Sequence, residues 1–241
     1  MLDILYRDDH LIAIHKPAGL LVHRSEIDRH ETRFAIQLLR DQIGRKVWPV
    51  HRLDRGTSGV LLFALTKDAL ALASQSFEHN EVDKQYLAVV RGWPPESGLI
   101  EHPLSRQYDD YERRPSHDTS EAQSARTTFT RLATVELPIS VDRYPASRYA
   151  LLRLQPETGR RHQLRRHLKH IAHPIIGDAT YGKGIHNRMF QQVFDCHRLL
   201  LICLSMHLKH PITGVQIELQ TQLDPDFSAL VDALGWSGKL T

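Results

Sequence analysis

The chain has 241 residues, enough for one large domain or two small ones. Hydrophobic residues make up 41% and charged residues 24%, which excludes an intrinsically disordered or collagen-like chain and fits a globular one. The formal net charge is +3 with 16 histidines left uncounted, and the pI near 8.9 permits a nucleic-acid partner without demanding one.

The first ten residues lack the basic start and apolar core of a signal peptide. No apolar stretch reaches the length of a membrane span, so no membrane contact is expected and the predicted location is the cytoplasm. Cys196 and Cys203 form no C-x-x-C pair and lie in or beside an apolar run. They read as two buried thiols in a reducing compartment.

In chain order, 2–6 and 11–15 read as short strands joined by a turn over 7–10, and Pro17 and Gly19 then break the pattern. Residues 32–43 read as a helix that stops at Gly44. Residues 60–65 form an apolar run with the look of a buried strand, and Thr66 is placed to cap a helix over 67–79. A strand follows over 84–91. The polar stretch 101–124, with Arg113-Arg114-Pro115 inside it, reads as a long loop or insert. Strands are expected over 125–132 and 149–154. A turn at 156–159 precedes a helix over 160–171, with Thr158 as a candidate cap. Strands over 199–204 and 215–219 and a helix over 227–234 complete the chain. Strands outnumber helices and do not alternate with them regularly. The expected class is therefore α+β, with a mixed, largely antiparallel central sheet flanked by helices, in one domain over 1–241. No internal repeat or low-complexity linker is present.

The segment His51-Arg52-Leu53-Asp54-Arg55-Gly56-Thr57-Ser58-Gly59 precedes the apolar run. A lone carboxylate between two arginines should stay ionised. Held still at the mouth of a buried strand, it can serve as nucleophile or base, and the arginines suit a phosphate-bearing substrate. A salt-bridged surface loop would show the same pattern.

Residues 159–170 are the densest cationic segment. On a helix Leu164, Leu168 and Ile171 form the buried stripe, Arg161, Arg165 and Lys169 lie beside it, and His162, Arg166 and His170 point away. The segment holds no acid, so it needs an anion from elsewhere. Asp54 or an RNA backbone would serve, although a solvated charged face is the plainer reading. His162, His167, His170 and His173 lack the spacing of a zinc helix motif, and no P-loop, dinucleotide fingerprint or G-x-S-x-G elbow is present.

Taken together, these motifs resemble the RluA-type family of pseudouridine synthases over nearly the whole chain. The resemblance rests on Lys16-Pro17-Ala18-Gly19-Leu20-Leu21-Val22-His23, on the segment around Asp54, on Lys84-Gln85-Tyr86-Leu87-Ala88-Val89-Val90, and on Thr158 to His167. His173-Pro174-Ile175-Ile176-Gly177-Asp178 and Tyr181-Gly182 continue it. It implies the pseudouridine synthase fold with a catalytic cleft. It also implies isomerisation of a uridine in RNA, by breaking the N1–C1′ bond, turning the uracil and rejoining it through C5. Asp54 would be the catalytic carboxylate, Tyr86 would stack on the uracil, and Arg165 would pair with Asp54. The target base would be flipped out, with Arg52 filling the vacated space. Arg55, Lys16, Arg161 and Arg166 are further candidates for RNA contact. No metal, organic cofactor or obligate protein partner is implied.

The chain starts at the first catalytic strand, so a separate N-terminal RNA-binding module is not expected. That resembles the short family members, which act on transfer RNA or a single ribosomal stem-loop. The likeness is greatest to those that modify position 65 of transfer RNA. Three rivals stand beside this reading: a ribosomal RNA synthase, a non-catalytic RNA-binding protein, and a small hydrolase built on His51, Asp54 and Ser58.

Overall fold

The computed structural model describes residues 1–23, 31–107 and 121–239. Arg113-Arg114-Pro115 and most of the predicted insert lie outside the described residues. The elements in order are β1 (Asp3–Arg7), β2 (Leu11–Lys16), α1 (Ala35–Ile43), β3 (Trp48–Pro49), β4 (Ser58–Ala64), α2 (Lys67–Glu78), β5 (Asp83–Arg91), β6 (Ser97–Glu101), β7 (Arg126–Leu137), β8 (Ser147–Pro156), α3 (Gln163–His170), α4 (Gly184–Phe194), β9 (Leu201–Lys209), β10 (Gln216–Gln220) and α5 (Pro225–Ala233).

One sheet runs through the described residues in the order β1-β2-β4-β9-β5-β8-β7-β6, with β3 also on β4 and β10 on β9. Every neighbouring pair is antiparallel except β4 with β9. The mixed, largely antiparallel sheet expected from the strand-rich order is therefore present.

All seven residues of β4 are buried, because the sheet is covered on both faces at its centre. The parallel join to β9 is made at Ser58 and Gly59, opposite Ile202 and Cys203. Gly59 has φ +107°, and a Cβ there would lie 2.1 Å from the Cys203 carbonyl oxygen. Only glycine permits the two backbones to approach this closely. The same pleat brings three chain segments to one level. The start of β4 lies beside the start of β9, Tyr86 on β5 is opposite Cys203 of β9 and Leu154 of β8, and β8 leads on into α3.

Local signals account for some element ends. Thr66 Oγ1 accepts from the Ala69 N–H and caps α2, as its position predicts, and Gly44 closes α1 in the left-handed conformation. Three departures bear on the site. First, α3 begins at Gln163 rather than at 160, with His162 at its N-cap in the left-handed region, φ 55°. Thr158 is not the cap: its hydroxyl donates to Gln163 Oε1. The Gln163 amide meanwhile donates to the Arg126 carbonyl and to Thr127 Oγ1 on the β7 strand, so this buried glutamine organises the entry to α3. Second, α4 goes unpredicted because it opens on glycine without a side-chain cap or an acidic first turn. Third, β6 goes unpredicted because it is a short edge strand in which Ile100 alone is buried.

Candidate active site

A cleft of about 1630 Å³ opens where these three segments meet. Small-molecule pockets are typically ~300–1,000 Å³, so this one suits an element of a larger, folded ligand. Asp54, Tyr86 and Arg165 all line it. Leu164 and Leu201 add apolar surface, and Arg52, Arg55, Arg161 and Arg166 lie along its walls.

Asp54 lies on the loop before β4, with about a quarter of its side chain exposed. Arg165 Nη1 donates to Asp54 Oδ2 at 2.9 Å, across 111 residues of sequence. The same guanidinium grips Asp178 through Nε to Oδ2 at 2.7 Å and Nη2 to Oδ1 at 2.9 Å. Asp178 is buried and also accepts from the backbone N–H groups of Thr180 and Tyr181. Burial alone would raise the Asp178 carboxyl, but the Arg165 hydrogen bonds and charge outweigh it and hold the carboxyl below its usual range. Burial likewise opposes the Arg165 charge, but Asp178 and Asp54 outweigh it and raise the guanidinium above its ordinary value. One planar fork thus links a fixed buried anion to a partly exposed one.

Asp178 is itself held from α4. Asn187 accepts from the Gly177 N–H through Oδ1 and donates to the Asp178 carbonyl through Nδ2. Gly177 has φ +80°, and a Cβ there would lie 1.8 Å from the Arg198 carbonyl oxygen. Sequence reasoning placed Asp178 in a motif without giving it a role. An acid shortly after an acid-free cationic helix was the available signal.

Tyr86 is 9% exposed. Burial first, then the Cys203 thiol and the Asp54 charge, push its phenol well above the ordinary tyrosine value, so the hydroxyl keeps its proton at neutral pH. On a helix that begins at 160, His162 points away from the buried stripe. Instead, the late start of α3 turns its ring toward the cleft, with Nε2 3.7 Å from Asp54 Oδ1 and Nδ1 3.0 Å from the Tyr181 hydroxyl.

Among the candidates for RNA contact, Arg52 and Arg55 are exposed on the loop that carries Asp54. Arg55 pairs with Glu31 and donates to the Gly19 carbonyl. Arg166 binds the carbonyl and hydroxyl of Ser105 on the opposite lip. Lys16 requires a correction. It is fully buried, and its ammonium donates to the carbonyls of Pro17, Leu20 and Arg55. Burial pulls it down to about 7 against the opposing charge of Asp54. Lys16 therefore ties the first motif to the loop that carries Asp54 and cannot reach a phosphate on the surface.

The hydrolase arrangement does not assemble. His51 stacks on Phe77 and uses Nε2 to accept from the Leu62 N–H. Burial pushes its imidazole down to about 3. Ser58 is buried, donating to Asp224 and accepting from Arg198. Neither side chain is turned to the other. The other three clustered histidines are also engaged without converging on one point: His167 faces Thr127 and the His102 carbonyl, His170 stacks on His102, and His173 faces the Arg91 carbonyl.

The family model for RNA pseudouridylate synthase matches residues 10–170, a span that holds Asp54, Tyr86 and Arg165. The chain belongs to the RNA pseudouridylate synthase family. Similar sequences extend beyond that span. The tRNA pseudouridine synthase C of Vibrio cholerae is 45% identical over 240 residues, covering 100% of this chain and 98% of that one. The protein of the same name from Haemophilus ducreyi is 50% identical over 235 residues, covering 98% and 96%. Among solved structures, human RNA pseudouridylate synthase domain containing 1 superposes with a TM-score of 0.70 at 25% identity, covering 98% of this chain and 95% of that one. This pseudouridylate synthase is thus an isomerase that acts on RNA, with the pseudouridine synthase fold. Among the described residues, no helix is long and apolar enough to cross a membrane.

Proposed function

We propose that this protein isomerises one uridine of transfer RNA to pseudouridine, at position 65, with Asp54 as the catalytic carboxylate. The observation that carries the assignment of Asp54 is its Oδ2 held at 2.9 Å by Arg165 in the cleft that also contains Tyr86. A carboxylate so held keeps one orientation relative to a bound nucleotide. Tyr86 offers a flat apolar ring for the extruded uracil, and its phenol proton is firmly retained. Arg52 stands on the same loop two residues before Asp54 and lines the cleft, and in this reading it enters the space the base leaves. Arg55, Arg161 and Arg166 offer charge to the backbone. Full-length similarity to proteins named tRNA pseudouridine synthase C supports transfer RNA as the substrate. The whole span 1–241 acts as one catalytic domain in this reading, supported by the single sheet through its described residues. Two free, buried cysteines favour the cytoplasm.

The test is tritium release from C5-tritiated uridine in an unmodified transfer RNA transcript. C5 loses its hydrogen only when it becomes the new glycosidic carbon. The expected result is about one equivalent per transcript, abolished in Asp54→Asn while RNA binding persists. Release from a ribosomal RNA transcript alone would move the substrate assignment, and turnover by Asp54→Asn would remove Asp54 from its role.

A further inference from the structure

Asp54 has two carboxylate oxygens, and Arg165 accounts for only one. We infer that His162 is a positioning residue for the other, held in place by a hydrogen-bonded relay that runs from Gln107 through Tyr181. The inference rests on the assignment of Asp54 as the catalytic carboxylate.

Four observations converge on it. His162 adopts φ 55°, a left-handed conformation that is uncommon outside glycine and is retained where the surroundings impose it. Its side chain is only 20% exposed, inside the cleft, with Nε2 3.7 Å from Asp54 Oδ1. That separation is longer than a hydrogen bond, as catalytic contacts often are before substrate tightens them. Nδ1 lies 3.0 Å from the Tyr181 hydroxyl.

The phenol oxygen of Tyr181 is 2.9 Å from Gln107 Nε2 and 3.2 Å from Oε1. In the shorter contact the amide donates, which leaves the phenol proton to His162 Nδ1. The ring proton of His162 then sits on Nε2, the nitrogen that faces Asp54. The Tyr181 ring is meanwhile fixed beneath two cations, with the Arg165 guanidinium 5.0 Å and the Lys169 ammonium 5.7 Å from its centroid. Arg165 and His162 thus approach the same carboxylate from two sides, and Tyr181 touches both.

With Oδ2 on Arg165, closing the 3.7 Å gap between Oδ1 and the His162 N–H when substrate binds would stop rotation of the carboxylate about its own axis. A single lone-pair direction is presented to the ribose and base. The function of the relay is orientation, with no covalent part in the isomerisation.

Tyr181→Phe separates this role from packing, because it keeps the ring beneath Arg165 and removes only the hydroxyl. His162→Asn keeps a residue that tolerates the left-handed conformation and removes the donor toward Asp54. Both are assayed by tritium release from the transfer RNA transcript beside wild type and Asp54→Asn, with melting temperatures recorded. For both, kcat should fall about tenfold to a hundredfold, with KM within about twofold and melting within about 2 °C. The double variant should be no slower than His162→Asn alone, because one relay is cut once. A Tyr181→Phe enzyme with wild-type kcat would overturn the relay, as would a loss confined to KM or additive losses in the double variant. Tyr181→Phe decides the matter even if His162→Asn fails to fold. Turnover by Asp54→Asn would instead overturn the catalytic assignment on which the relay depends, and the two failures are told apart within one experiment.

Discussion

Arg165 is the residue whose loss should affect both chemistry and stability. Its fork spans Asp54 and Asp178, and Asp178 has no exposed side-chain surface. Arg165→Met leaves that buried carboxylate without its cation, a change that typically costs ~3–5 kcal/mol. Urea denaturation should show the loss, and turnover should fall even at temperatures where the variant is folded. Arg165→Lys should restore little of either, since an ammonium cannot serve two carboxylates in one plane. Wild-type denaturation of Arg165→Met would remove the two-anion account. Asp54 and Arg165 are both legible in the sequence: one is an acid between arginines, the other a cation at the edge of an apolar stripe. Asp178 and His162 are not. The first acquires its role only by folding across from α3. The second turns inward because the helix starts three residues later than its cationic run suggests.

Among the elements, β4, α2 and the hairpin of β1 and β2 are close to their expected bounds, since each has a strong apolar pattern, a cap or a tight turn. The parallel join of β4 to β9 is not legible in the same way. It depends on Gly59, which reads in the sequence as one more turn glycine. Gly59→Ala places a methyl group against the Cys203 carbonyl and demands a conformation alanine avoids. Strain of this kind costs ~1–3 kcal/mol, and the steric conflict adds to it. Thermal melting should fall sharply, and the loop just before β4 that carries Asp54 should lose its register, so turnover should fall further than melting alone explains. A Gly59→Ala protein with normal melting would mean that the two strands can separate without cost. The helix α4 lacks a legible start, yet through Asn187 it fixes the turn that carries Asp178.

At the scale of the whole molecule, the histidines set an acid limit on stability. Burial, reinforced by nearby cations, pushes His51 down to about 3 and His186 to about 4, and burial also lowers His162 and His167. In the unfolded chain the same imidazoles take a proton near pH ~6.5. Between that pH and about 4 the unfolded state binds more protons than the folded one, so stability falls as pH falls through this window. The midpoint of urea unfolding should be lower at pH 5 than at pH 7.5 at constant ionic strength, and His51→Gln should flatten the difference. An unchanged midpoint would mean these rings are protonated in the fold. RNA affinity should also weaken as salt rises, through release of counterions from the backbone. A flat response would leave the arginines of the cleft wall without a part in binding.

The position of β9 in the sheet has a consequence for the order in which the protein is made. In space it lies between β4 and β5, but in sequence it follows all the other strands that frame the cleft. Until it is synthesised, no strand is available to link β4, beside Asp54, to β5, which carries Tyr86. β9 supplies that link by pairing with both, and pairing between segments so distant in the chain is expected to be a slow step of folding.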